Sequence, residues 1–344
     1  DGNGWEDIYF TTLNPSGAND VPNRLYLNQG TNAEGIPIFR EAAAEYGLGD
    51  LGYGTHSAWF DLENDGDLDL YVLNNAIEEY NRNIAKGTDT MGKGKSVDRI
   101  YRQALSPTPF ASRLPSGGQG RGATSDAERP VVFEPITLQK EGWGLGVVAQ
   151  DFNGDHLADL YVANDFLSDD FLLINQGDGT FRDELRQRIP HQSRNSMGVD
   201  VADLTGDGHP EIMVVDMLPD DNSRRKTMFG DIPHQGAATE IQRGYARQYI
   251  RNTLQLNNGD GTWSDVAFQA GVAATDWSWT PLLMDVDNDG RRDIFVSNGY
   301  PKDITNKDFI DFSEQSTMFG TKGSWAGVRR LPPGGLRSPA EFDF

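Results

Sequence analysis

Short apolar runs alternate with acidic, turn-rich segments along most of the chain. Leu70-Tyr71-Val72, Leu160-Tyr161-Val162, Ile212-Met213-Val214, Ile294-Phe295-Val296 and Ile8-Tyr9-Phe10 are β-branched and aromatic triplets that read as buried strands. Ahead of four of them lies another strand-like run: Ser57–Phe60, Val147–Ala149, Val199–Ala202 and Leu282–Met284. A third strand is expected at Arg24–Asn28, Arg99–Tyr101, Phe171–Asn175 and Thr253–Asn257. Gly-rich turns follow three of these, and Asn-Gly or Asp-Gly steps supply the positive φ that tight hairpins require. A fourth strand opens with an aromatic residue two places before an acid at Phe39-Arg-Glu41, Phe181-Arg-Asp183 and Trp263-Ser-Asp265, with Phe133-Glu134 as a shortened version.

Four antiparallel strands repeated in this way predict an all-β fold, a β-propeller of four-stranded blades. One small sheet cannot bury both faces, whereas stacked neighbours bury each other's. Blades are expected at 1–50, 52–140, 142–190, 194–272 and 276–344, the first and last incomplete. Two insertions interrupt the scheme. Residues 76–130 are rich in Gly, Ser, Pro and Arg and predict a long exposed loop. Residues 217–250 carry Ile241, Tyr245 and Tyr249 at helical spacing, which predicts a short helix packed on the rim or a partner-docking surface.

The turn between the first two strands has one frame throughout. It reads Asp61-Leu-Glu63-Asn-Asp65-Gly66-Asp67-Leu-Asp69, Asp151-Phe-Asn153-Gly-Asp155-His156-Leu157-Ala-Asp159, Asp203-Leu-Thr205-Gly-Asp207-Gly208-His209-Pro-Glu211, and Asp285-Val-Asp287-Asn-Asp289-Gly290-Arg291-Arg-Asp293. Oxygen-bearing side chains stand at positions 1, 3, 5 and 9. Asp1, Asn3 and Asp7 fit positions 3, 5 and 9 of the same frame at the start of the chain. Calcium takes 6–8 hard oxygen ligands, and alternate residues of a tight loop can aim theirs inward. Position 7 (Asp67, Leu157, His209, Arg291) would contribute a backbone carbonyl, and a glycine at position 6 permits the reversal. An EF-hand places a bidentate acid at position 12. Here that position is Val72, Val162, Val214 and Val296, so the cage must close at position 9.

The four sites are expected to differ. The loops at Asp61 and Asp285 have acids at all four liganding positions. The Asp151 loop has neutral Asn153 and replaces the turn glycine with His156, so weaker binding is expected. The Asp203 loop, with Thr205 and the longer Glu211, could stand empty.

The overall charge agrees with cation binding. Among 344 residues, 52 Asp and Glu outweigh 30 Lys and Arg, for a formal net charge of -22. Such a surface repels nucleic-acid phosphates, so no nucleic-acid partner is expected. The absence of cysteine excludes disulfides, thiolate zinc sites and thiol catalysis. No run of about 18 apolar residues occurs, so no membrane-spanning helix is expected.

The units resemble the FG-GAP/VCBS repeats of integrin α-subunit-like β-propellers. Trp277-Ser278-Trp279-Thr280-Pro281, Asn298-Gly299-Tyr300 and the run from Arg251 to Thr262 resemble the bacterial branch related to cartilage acidic protein, associated with ASPIC/UnbV modules. The resemblance implies a seven-bladed ring with calcium in the acidic loops, and a chain that is part of a longer protein.

No Gly-x-Ser-x-Gly, Walker loop or HExxH spacing occurs, and the five histidines are scattered. The regular carboxylates are already accounted for by the repeat. Trp277 and Trp279 alternate on one strand and are expected on one face, in a core or as a sugar-stacking pair. Basic residues such as Arg224-Arg225-Lys226 fall in the insertions, as solvated loops or as contacts to phosphate or anionic glycan. Two functions remain open. One is a calcium-stabilised, non-enzymatic extracellular or cell-surface module that binds a protein or a glycan. The other is a scaffold or subunit of a polysaccharide-active enzyme.

Overall fold

The computed structural model describes residues 3–13, 21–77, 94–105, 131–228, 234–300 and 305–309. Residues Asp1–Asp220 and Ile232–Gly299 form one compact unit, and Asp221–Asp231 with Tyr300–Phe344 form a second. In the first unit the strands fall into successive antiparallel sheets. The first contains β1 (Ile8–Phe10), β2 (Arg24–Thr31) and β3 (Pro37–Glu41), followed by a helical turn, α1 (Ala43–Tyr46). The second contains β4 (Gly54–Phe60), β5 (Asp69–Asn74), β6 (Val97–Leu105) and β7 (Val131–Glu141). The third contains β8 (Gly144–Gln150), β9 (Asp159–Asn164), β10 (Phe171–Asn175) and β11 (Phe181–Asp183), followed by α2 (Leu185–Arg188) and β12 (Gln192–Ser193). The fourth contains β13 (Gly198–Ala202) and β14 (Glu211–Val215), and resumes after α3 (Asn222–Met228), α4 (His234–Gln242) and β15 (Gln248–Tyr249) with β16 (Thr253–Asn257) and β17 (Trp263–Asp265). β18 (Ser278–Met284) and β19 (Asp293–Asn298) pair as a fifth. Of these elements α3 belongs to the second unit.

The core lies between sheets, and the two-residue period of each strand explains how. Along the second strand, Leu70 and Val72 face the first sheet and pack with Leu25, Leu27 and Leu48. The intervening Tyr71 and Leu73 face the third sheet and meet Val147, Leu160, Val162 and Leu173. The same alternation sends Tyr161 and Ala163 toward Ile212 and Val214 of the fourth sheet. Full burial of each such aliphatic side chain stabilises the fold by roughly 1.5–3 kcal/mol. The first strands of successive sheets are also neighbours: β4 lies beside β8, β8 beside β13 and β13 beside β18. Close approach is enforced where Gly142 meets the side-chain amide of Asn164, a place with no room for a Cβ. Tyr71, Tyr161 and Met213 are 0% exposed, whereas Phe295, at the same place in the fifth sheet, is 57% exposed.

Several expectations change. The expected loop 76–130 includes β6, and its residues 78–93 and 106–130 lie outside the described residues. The fourth strand of the second sheet is eleven residues long, paired with β6 from Val97↔Glu141 to Leu105↔Val131. The helical stripe through Ile241, Tyr245 and Tyr249 does not form. Gly244 adopts φ 94° just past α4, so Tyr245 is buried beyond the helix and Tyr249 lies in β15. A register shift between Ser278 and Thr280 breaks the alternation expected of Trp277 and Trp279. In the last expected blade, 276–344, the described strands are β18 and β19. Residues from Tyr300 onward group with the second unit.

Candidate metal centres

Each acidic loop closes the hairpin between the first and second strands of its sheet, and the four share one hydrogen-bond scheme. The position 1 carboxylate accepts backbone N–H groups from across the bend. Asp61 takes those of Asp65 (3.1 Å) and Gly66 (2.9 Å), and Asp285 those of Asp289 (3.0 Å) and Gly290 (2.8 Å). Asp203 takes Gly206, Asp207 and Gly208, and Asp151 takes Asn153, Gly154 and His156. The position 5 carboxylate accepts the N–H of position 7. Asp65 serves Asp67, Asp155 serves Leu157, Asp207 serves His209 and Asp289 serves Arg291.

Position 9 ties the loop to the rest of the sheet. Asp69 accepts the N–H of Leu62 (2.7 Å) and, from β6, that of Gln103 (2.8 Å). Asp159 does the same with Phe152 (2.9 Å) and Asn175 (2.8 Å). Glu211 accepts Leu204, and Asp293 accepts Val286. Asp7 accepts Asn28, and Asn3 accepts Trp5, so the fragmentary first copy keeps the scheme. Asp1 lies outside the described residues. Across a sheet boundary, the Asn175 amide donates to the Leu62 carbonyl at 2.8 Å, joining the third sheet to the Asp61 loop.

The bend needs two left-handed residues, not one. Position 6 has positive φ at Gly66, His156, Gly208 and Gly290, and so does position 4 at Asn64, Gly154, Gly206 and Asn288. Asn and Gly are the residues that tolerate this conformation. His156, at φ 69°, is the exception and holds the turn under strain.

Burial pushes several loop acids upward. Asp159 rises to about 6 because burial penalises its charge, partly offset by the N–H groups of Phe152 and Asn175. Asp69, Asp67, Glu63 and Glu211 are raised, each chiefly by burial, with Asp65 and other neighbouring acids adding at Asp69. Asp203 is held below the usual range chiefly by the N–H of Gly208.

The loops differ in how their side chains converge. Carboxylate oxygens of Asp285, Asp287 and Asp289 lie within 4.8 Å of one another. Two oxygens at ~2.3–2.6 Å from one ion can be at most about 5 Å apart, so this donor set fits a calcium-sized ion. In the Asp61 loop, Glu63 is paired with Arg102 at 3.6 Å. In the Asp151 loop the Asn153 amide donates to Asp155 at 2.8 Å, and His156 sits 3.8 Å from Asp151. Thr205 leaves the Asp203 loop without an acid at position 3.

A further set of carboxylates escaped sequence reasoning. Asp98 accepts the N–H of Asn74 and the hydroxyl of Tyr71, both at 2.8 Å. Asp170 accepts the N–H of Asn164 and the hydroxyl of Tyr161, both at 2.7 Å, and also that of Ser196. Asn23 and Asn252 take the same place, accepting the N–H groups of Thr12 and Asp216. The signal was present one residue ahead of each third strand as expected from the sequence, at Arg24, Arg99, Phe171 and Thr253.

Four-stranded antiparallel sheets that bury each other's faces, with an acidic bend in a fixed place, define a repeat protein built of β-propeller blades. The chain belongs to the FG-GAP-like repeat family, whose sequence model matches residues 1–72, 133–214 and 245–296. All four complete loops fall inside the matched stretches. No curated protein matches the chain. Among the described residues, no helix is long and apolar enough to cross a membrane.

Proposed function

We propose that this propeller-like chain is a calcium-stabilised binding or adhesion module, extracellular or at the cell surface, that contacts a protein or a glycan. The observation that carries the reading is the convergence of Asp285, Asp287 and Asp289 within 4.8 Å, in a loop scheme that recurs in three other sheets. Asp285 is oriented by the N–H groups of Asp289 and Gly290, and Asp289 by that of Arg291. The bend is therefore shaped before any ion arrives, and its side chains have little left to order. Bound calcium would neutralise carboxylates that otherwise repel one another. The Asp61 loop is the second candidate, with the loops at Asp151 and Asp203 weaker. Within the family, the bacterial cartilage acidic protein-like branch is the finer reading, supported by the residues around Trp277 and Arg251.

At ~1 mM free calcium and a dissociation constant of ~10⁻⁴ M, each site stabilises the fold by about 1.4 kcal/mol. Thermal melting with calcium and with chelator tests this. A higher melting temperature in calcium is expected, with one site's share lost in Asp287→Asn. Identical curves would remove calcium from the reading. A glycan array run beside a hydrolysis screen on the same sugars tests the binding role. Binding without turnover supports it, and product release favours an enzymatic subunit.

A further inference from the structure

The third strands differ at one place beside the acidic loops. Position 10 of the first four loop frames along the chain pairs with Tyr26, Tyr101, Leu173 and Gln255. The next residue is Leu27, Arg102, Ile174 and Leu256. Leu27 and Ile174 are buried in the contacts between sheets, whereas the Arg102 side chain is 47% exposed. Its guanidinium stands 3.6 Å from Glu63 and 3.5 Å from Glu134, its cross-strand neighbour on β7. Glu63 is position 3 of the Asp61 loop. Among the described third strands, the one with an arginine here thus belongs to the sheet whose loop has a glutamate at position 3.

We propose that Arg102 is a tethered cation that competes with calcium for Glu63 and sets the affinity of the Asp61 loop. This rests on the calcium reading above. An incoming ion must take Glu63 from the guanidinium. Glu134 keeps Arg102 close after the exchange, so its positive charge goes on opposing the ion at a distance shorter than the screening length. Arg102 is exposed and Glu63 half-buried, so the pair exchanges at modest cost and Arg102 tunes the site without closing it. Of the two loops with acids at all four liganding positions, the Asp61 loop is therefore the one whose affinity is held down.

Calcium titration by calorimetry on the full chain tests the role. Arg102→Leu, which installs the aliphatic residue of the other sheets, and Arg102→Gln are each expected to tighten one class of sites about three- to tenfold. The gain should shrink at high salt and vanish when Asp61→Asn is added. An unchanged isotherm in both variants, or a gain that survives Asp61→Asn, overturns the proposal while leaving the calcium reading intact. If the unmodified chain binds no calcium at any loop, the variants still decide. Binding that appears only without Arg102 supports its role, and none in either overturns both readings. Melting followed by circular dichroism checks that each variant is folded.

Discussion

The two ends of a sheet use one chemistry toward opposite results. At both, a carboxylate accepts backbone N–H groups and fixes a bend. At the loop end the position 1 and position 5 acids lie at the surface, and their charge is available to a ligand. At the far end Asp98 and Asp170 are sealed inside, each with a tyrosine hydroxyl and a backbone N–H as donors. Burial raises both to about 7, against donors that pull the other way. The first and fourth sheets place Asn23 and Asn252 there, so the far end needs an acceptor but not a charge. The difference separates an end whose carboxylates reach solvent from one whose carboxyls are sealed.

The sharpest way to break this comparison is to remove a position 9 acid. Asp159→Ala leaves the N–H groups of Phe152 and Asn175 buried without an acceptor. A loss of about 2–5 kcal/mol is expected by urea unfolding in chelator. A cost below about 1 kcal/mol would show that the acid is there for an ion and not for the bend.

The far end should betray itself through pH. Burial raises the carboxyls of Asp98 and Asp170 from 3.8 to about 7, so folding favours their protonated forms. Their contribution is complete below about pH 4 and is lost as pH rises through about 7. Asp98→Asn keeps an acceptor and removes the titration. Relative to the variant, the native chain should therefore lose stability between about pH 4 and pH 8, by an amount on the order of a few kcal/mol. Parallel curves over that range would contradict the sealed carboxyl.

The smallest effect concerns the bend itself. His156→Gly relieves a left-handed backbone at φ 69° and should stabilise by up to about 1 kcal/mol, seen as a rise in melting temperature. A fall would show that the imidazole beside Asp151 contributes more than the strain costs.

Much of this was legible in the sequence because the repeat imposes one frame on loop and strand together. Position 9 was recognisable from Asp69, Asp159, Glu211 and Asp293, but its partner strand was not, since Gln103 and Asn175 enter through backbone atoms that carry no residue signature. The Asn or Gly at position 4 was visible in Asn64, Gly154, Gly206 and Asn288, yet only the backbone angles give it meaning. Asp98 and Asp170 stood outside the apolar triplets, where a polar residue reads as a loop. Ile241, Tyr245 and Tyr249 misled because their spacing ran through Gly244, whose conformation ends the helix. The contact of Arg102 with Glu63 could not be read from the chain, because Arg102 is distant in sequence and reaches Glu63 only through the pairing of strands.

The amide of Asn175 has a consequence for how the molecule comes apart. Asp69 holds Leu62, Leu62 is held by Asn175, and Asn175 is held by Asp159, which also holds Phe152. All five are nearly inaccessible to solvent. Damage at either of these two bends is therefore expected to reach the other through this buried relay, so that the second and third sheets loosen together at their shared seam.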